Sequence, residues 1–217
     1  MTESDLTWID KLMRLGRVSS PVLELGAGWG GATCRELMTR HGFKYLGTDL
    51  TTQHGADFAA DFETGEGVPE IERAHGSPFG TTLVLNVLEH TFNPIAVLDN
   101  AVRVTRPGGA VVVITPAVWP LHGYPIDCCR LLPDWYRRFA ATRSMSLEEE
   151  TFEWVGLGRI TEFRDRNGND SMPLPASGNH GWRLWSRIVH RGFRTYGRGM
   201  GFPSHLAIGA VMTRPSP

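Results

Sequence analysis

The sequence predicts an α/β fold in which a doubly wound, mostly parallel sheet carries helices on both faces. Three observations support that expectation. Apolar runs at 22–25, 81–86 and 110–115 have strand length and are rich in Val, Leu, Ile and Thr. Helix-compatible stretches separate them, and alternation of strands with helices builds parallel sheets. The first run breaks at once into Gly26, Gly28, Gly30 and Gly31, the punctuation of a strand turning sharply into a helix.

With 217 residues the chain can bury one sizeable core, so a single domain spanning 1–217 is expected. Its 41% hydrophobic and 21% charged residues, with a net charge of -1, describe an ordinary globular protein and lack the positive charge of a typical nucleic-acid binder. Cys34, Cys128 and Cys129 form no C-x-x-C pair, which argues against a disulfide framework or a zinc ribbon and for reduced thiols in a cytoplasm. No apolar run approaches membrane-span length, and Glu3 and Asp5 precede the first apolar segment, so a soluble, untargeted chain is expected.

Within an N-terminal segment 1–19, Trp8, Ile9, Leu12 and Met13 recur at helical spacing behind Ser4 and Asp5, predicting a packing helix over 4–16. The turn that follows Val22–Leu25 is a cofactor seat. Its glycines permit positive φ and close backbone approach, and the next helix, expected over 32–40, offers unpaired N–H groups. Gly26, Gly28 and Gly31 satisfy the dinucleotide pattern G-x-G-x-x-G; Glu24, Gly26, Gly28 and Gly30 satisfy the acidic-x-G-x-G-x-G pattern of S-adenosylmethionine (SAM) binding.

The second strand, Lys44–Leu50, carries Asp49 near its end, about 20 positions past the glycine turn, where an acid accepts hydrogen bonds from a ribose diol. A third strand is expected within 56–63, where Asp61 and Phe62 could meet an adenine amino group and ring face. Residues 64–80 suggest a short helix over 68–74 and no chemistry. Ligands bind beyond the carboxyl ends of parallel strands, so Asn86 to His90, after the fourth strand, should border the same crevice. A helix over 95–104, a turn at Arg106-Pro107-Gly108-Gly109 and a fifth strand over 110–115 complete this half.

Beyond the fifth strand, His122, Tyr124, Asp127 and Arg130 concentrate polar chemistry within nine positions of a strand-exit loop. They either line an acceptor site or, in the case of Asp127 and Arg130, form a structural ion pair before a helix starting at Pro133. No established metal-ligand spacing is present, and no metal is expected. A sixth strand is expected over 145–155 and a final one over 205–213. Between them, 156–204 is too long for a hairpin and reads as a lid or acceptor-binding insertion, the core being 20–155 with 205–217. The insertion holds Arg159, Arg164, Arg166, Arg183, Arg187, Arg191, Arg194 and Arg198, with Trp182, Trp185, Ile188 and Val189 at helical spacing. Those arginines form either a solvated basic face or a surface for an anionic acceptor.

With the glycine turn, Asp49, Asp61-Phe62, Leu88-Glu89-His90 and Arg106-Pro107-Gly108-Gly109 in this order, residues 20–116 resemble the class I SAM-dependent methyltransferases, closest to the small-molecule group with LEH and PGG motifs. The resemblance implies a Rossmann-like, seven-stranded sheet with an antiparallel last strand and SAM over the carboxyl ends of the first strands. It implies Glu24 near the methionine amine, Asp49 on the ribose, and Asp61 and Phe62 on adenine. Gly26, Ala27, Gly28, Gly30, Leu50, Asn86 and Val87 are the remaining candidate cofactor contacts.

The expected function is SAM-dependent methyl transfer in small-molecule biosynthesis, to a hydroxyl oxygen of a small polar or anionic metabolite. Catalytic candidates are His90 or His122 as the base, with Asp127 beside them; Tyr124, Arg130 and the insertion's arginines are candidate acceptor contacts. Homo-oligomer formation is compatible with the sequence; nucleic-acid or membrane partners are not expected. Two alternatives stand beside this reading. An NAD(P)-dependent reductase fits the glycines, but Lys11 and Lys44 are the chain's lysines and neither completes a Tyr-x-x-x-Lys pair. A non-catalytic SAM-binding partner protein keeps the turn without the reaction.

Overall fold

The computed structural model describes residues 1–28, 34–76, 78–119, 126–156 and 206–216, together with the backbone of 159–162. Helix α1 (Glu3–Arg14) begins with a reciprocal capping box between Thr2 and Asp5. Strand β1 (Val22–Leu25), helix α2 (Arg35–Arg40), strand β2 (Tyr45–Asp49) and strand β3 (Phe58–Ala59) follow. Then come α3 (Val68–His75), β4 (Phe79–Leu85), a 3-10 turn at Leu88–His90, α4 (Pro94–Val104) and β5 (Thr105–Val118). The chain continues through α5 (Pro133–Thr142), β6 (Ser146–Leu147), β7 (Glu153–Gly156), β8 (Arg159–Glu162) and β9 (Leu206–Thr213).

All the strands join one sheet in the order β3-β2-β1-β4-β5-β9-β7-β8, with short β6 beside β9. Pairs from β3 to β5 are parallel, whereas β9 runs antiparallel to both β5 and β7. This is the expected doubly wound sheet with its antiparallel last strand, in seven principal strands with β6 and β8 added. The reversal at β1, where the chain leaves toward β2 on one side and β4 on the other, opens a crevice at the strands' carboxyl ends.

Two cores form because successive strand residues face opposite ways. Leu23, Leu25, Val84, Val111 and Val113 pack under α4 and α5 with Leu98, Tyr136 and Phe139. Val22, Leu83, Leu85, Val112 and Ile114 pack under α1 and α2 with Trp8, Ile9, Leu12 and Met38. Trp8 and Lys11 also anchor α1 on β7 through Glu153, at 3.0 and 2.6 Å. The predicted packing role of the N-terminal helix therefore holds.

The structure revises several boundaries. The expected sixth strand, 145–155, is split into β6 and β7 by a 3-10 turn at Glu149–Thr151, placed among three consecutive glutamates. The PGG turn lies inside β5 as a bulge: Phe79 pairs with Thr105 and Thr81 with Ala110, so Arg106–Gly109 loop out between them. Strand β3 is two residues long, because the segment turns at Asp61. Among the described residues, no helix is long and apolar enough to cross a membrane.

Candidate functional site

The site begins where β1 ends. Gly26 holds φ at 73°, and a Cβ there would stand 2.8 Å from Val87 Cγ2, so both backbone and packing require glycine. Two residues on, the Gly28 N–H donates to Asp49 Oδ2 over 2.9 Å. A side chain at Gly28 would place its Cβ 2.7 Å from that oxygen. Leu50 N–H donates to Oδ1 over 2.6 Å, and Ala27 N–H reaches the Thr48 carbonyl. The β1 and β2 turns are thus laced through one carboxylate.

Glu24 stands behind this turn. It shares the Val22 side of β1, facing the α1 and α2 layer, and is almost fully buried. Its Oε2 accepts from Cys34 N–H (2.9 Å) and from Tyr45 Oη (2.6 Å). Cys34 is the N-cap of α2 and supplies no capping side chain, so Glu24 serves that helix start from the neighbouring strand. Burial and the negative charge of Glu24 and Asp5 push the Cys34 thiol far up, leaving it protonated.

In front of the turn lies a cavity of about 790 Å³, within the range of about 300–1,000 Å³ common for small-ligand pockets. Its wall is built from the carboxyl ends of consecutive strands: Gly26 after β1, Asp49 and Leu50 after β2, Asp61 and Phe62 after β3, Asn86 and Val87 after β4, and Trp119 after β5. Met1 and Thr2, ahead of α1, complete one side. Asn86 adopts φ 54°, a sparsely populated conformation for a non-glycine residue, and its Nδ2 donates to buried Asp5 over 3.1 Å. That bond fastens the start of α1 to the crevice.

Asp61 Oδ1 accepts from Glu63 and Thr64 N–H, closing the turn that ends β3. Glu63 in turn accepts from the N–H groups of Phe92 and Asn93, tying the turn to the segment ahead of α4. After β4, the 3-10 turn sets Glu89 and His90 in the cavity wall. His90 Nδ1 lies 2.5 Å from the Ile126 carbonyl, and that contact assigns the ring hydrogen to Nδ1 and the basic lone pair to Nε2. Glu89 is 1% exposed, and neither carboxylate oxygen accepts a hydrogen bond from another described residue. Burial, its dominant influence, raises its carboxyl to about 8, against smaller lowerings by its own backbone N–H and by Arg130.

The segment after β5 is sewn to this turn, with Cys128 N–H on the Glu89 carbonyl and Cys129 Sγ on that of Leu88. Arg130 binds Asp127 through both terminal nitrogens, and the Asp127 side chain is 3% exposed. Of the two readings of this pair, the geometry is that of a structural ion pair: neither residue lines the cavity.

Of the expected cofactor residues, Gly26, Asp49, Leu50, Asp61, Phe62, Asn86 and Val87 line one cavity, while Glu24, Ala27 and Gly28 support it from behind. Of the expected catalytic residues, His90 lines it and Asp127 does not. Gly30, His122, Tyr124 and the insertion from 163 to 204 lie outside the described residues. Sequence reasoning placed Glu89 in the 86–90 segment bordering the crevice without giving it a role, and passed over Glu63 and Thr2 as wall residues.

Residues 3–157 match the family model described as a methyltransferase domain. The ubiquinone biosynthesis O-methyltransferase of Psychrobacter arcticus is 27% identical over 131 residues, 51% of each chain. That of Maricaulis maris is 32% identical over 103 residues, 43% of this chain and 39% of the relative. The chain thus spans about half or less of the length of these curated relatives. A crystal structure of a Bacillus halodurans protein assigned as a methyltransferase superposes with a TM-score of 0.59 at 15% identity, covering 98% of this chain and 100% of that one. With a family model spanning most of its length and the matching strand order, the chain belongs to the methyltransferase-domain family and has the class I SAM-dependent methyltransferase fold.

Proposed function

We propose that the protein transfers a methyl group from SAM to a hydroxyl oxygen of a small polar molecule. The observation that carries this reading is the single cavity joining the Gly26–Asp49 turn to the Glu89–His90 turn, a nucleoside seat on one side and ionisable groups on the other. The residues present fit SAM: the glycine cradle has no room for side chains at Gly26 and Gly28, and Asp49 and Asp61 supply acceptors for a ribose and an adenine amino group. O-methyl transfer is favoured over N- or C-transfer by the similarity to ubiquinone biosynthesis O-methyltransferases.

SAM supplies an activated methyl group on a sulfonium. The chain's own residues supply position and proton handling. Holding reactants in line can contribute about 7–11 kcal/mol, so walls that fix both partners do most of the work. His90, with Nδ1 engaged by Ile126, presents Nε2 as the atom to take the acceptor's hydroxyl proton. The described wall carries Asp49, Asp61, Glu63 and Glu89 and no Lys or Arg. Those carboxylates suit a polar acceptor that donates hydrogen bonds.

The test is calorimetric binding of SAM, S-adenosylhomocysteine and NADH, followed by turnover of SAM against a panel of small phenols and catechols. Micromolar binding of the first two and formation of S-adenosylhomocysteine with a hydroxylated acceptor are expected. Binding of NADH with no binding of SAM would establish the reductase alternative, and tight SAM binding with no turnover on any acceptor class the non-catalytic one.

A further inference from the structure

Among the described residues four acids line the crevice, and three already receive hydrogen bonds. Asp49 takes the N–H groups of Gly28 and Leu50, Asp61 those of Glu63 and Thr64, and Glu63 those of Phe92 and Asn93. Glu89, 1% exposed, takes none from another described residue. A buried carboxylate without a partner is costly, so burial holds this group as the neutral acid. Its charged and titratable surroundings are His90 Nε2 at 3.6 Å, Arg130, Asp127 and Cys129 from the segment after β5, Tyr136 from α5, and the Met1 amino group. Arg130 is neutralised by Asp127, and no lysine or arginine among the described residues shares the wall.

The strand order sets the wall acids in file. Asp61 follows β3, Asp49 ends β2, the glycine turn follows β1, and Glu89 lies in the 3-10 turn beyond β4. A nucleoside seated on Asp61 and Asp49 directs the rest of an extended ligand across β1 toward Glu89. We propose that Glu89 is the charge-selecting group of the crevice, giving up its proton to receive a cationic ligand and so favouring the sulfonium donor over its neutral thioether product. This rests on the methyl-transfer reading above. On binding, the Glu89 proton leaves to solvent and the carboxylate stays behind to face the cation. Once the donor's charge is gone, the group returns to its neutral form and its attraction for the ligand falls, which aids product release.

The experiment titrates wild-type protein and Glu89→Gln with SAM and with S-adenosylhomocysteine at pH 7, each in two buffers of different ionisation enthalpy. Wild-type protein should release close to one more proton with SAM than with S-adenosylhomocysteine. In Glu89→Gln that excess should vanish, and the SAM-over-product affinity ratio should fall by about tenfold, the equivalent of one pKa unit. A pH series on the wild-type protein alone should show the ratio climbing from about pH 6 to about pH 8, because the carboxylate becomes available without a proton to expel. Identical proton release in the two proteins, an unaltered ratio, or equal weakening of both ligands would each overturn the proposal. Failure of wild-type protein to bind either ligand would overturn the methyl-transfer reading instead.

Discussion

The Gly28 N–H and Asp49 Oδ2 meet at 2.9 Å, joining the turn after the first strand to the end of the second, 21 residues later in the chain. The contact explains both residue types. Any side chain at 28 would press on the carboxylate, and any shorter side chain at 49 would leave the Gly28 and Leu50 N–H groups without their acceptor.

Asp49→Ala should weaken SAM binding at least tenfold. Two backbone donors lose a charged acceptor, each such bond being worth about 1.5–3 kcal/mol, and the ribose loses its proposed ligand. Calorimetry reads the result; an unchanged dissociation constant would remove Asp49 from the site.

Glu24→Gln should lower stability more than it lowers the intrinsic affinity for SAM. The carboxylate is a buried acceptor for Cys34 N–H and Tyr45 Oη, and an amide in its place turns one of its two oxygens into a donor. A loss of about 1–3 kcal/mol in denaturant melts is expected, with SAM affinity of the folded fraction changed less than in Asp49→Ala.

Glu89 makes the protein's stability sensitive to alkali. Its carboxyl titrates near 8 when folded against an ordinary 4.5, so between those values the folded chain holds the extra proton and stability falls as pH rises. Glu89→Gln carries no such proton. It should match wild-type stability near pH 5 and exceed it by about 2–5 kcal/mol above pH 8, as thermal melts across that range will show. A wild-type curve that rises between pH 5 and 8 relative to the variant would contradict the raised carboxyl.

The three thiols should react in a fixed order. Cys128 is exposed, Cys129 is half-buried with its thiol pushed up by burial, and Cys34 is buried with its thiol pushed up further. Iodoacetamide at pH 8 on the native protein should modify Cys128 first and leave Cys34 intact until denaturant is added, as peptide mass spectrometry can follow.

Much of the fold was legible in local patterns. The largely apolar, β-prone runs at 22–25, 81–86 and 110–115 became β1, β4 and β5 because a strand buried on both faces needs such a run and little else. The glycine turn was legible because its backbone need is written within a few residues, and Asp49 because an acid ends the second strand about 20 positions past that turn. The sixth strand was misjudged because its apolar content, Leu147 with Phe152 to Val155, straddles three glutamates that a single strand could not bury.

The sequence by itself determined the sheet, the strand ends that meet at the crevice, and the seat for a nucleoside. The tertiary structure decided what each acid does there. Glu24, Asp49, Asp61, Glu63 and Glu89 are five carboxylates of similar local appearance, yet partners distant in the chain assign them different work. Cys34 and Tyr45 turn Glu24 into a support behind the turn, Gly28 orients Asp49, and Phe92 with Asn93 occupies Glu63. Glu89 is left buried without a hydrogen-bond donor among the other described residues, and its charge therefore depends on what enters the cavity. A carboxylate's state is set by burial and by the donors around it, and both come from segments that only folding brings together.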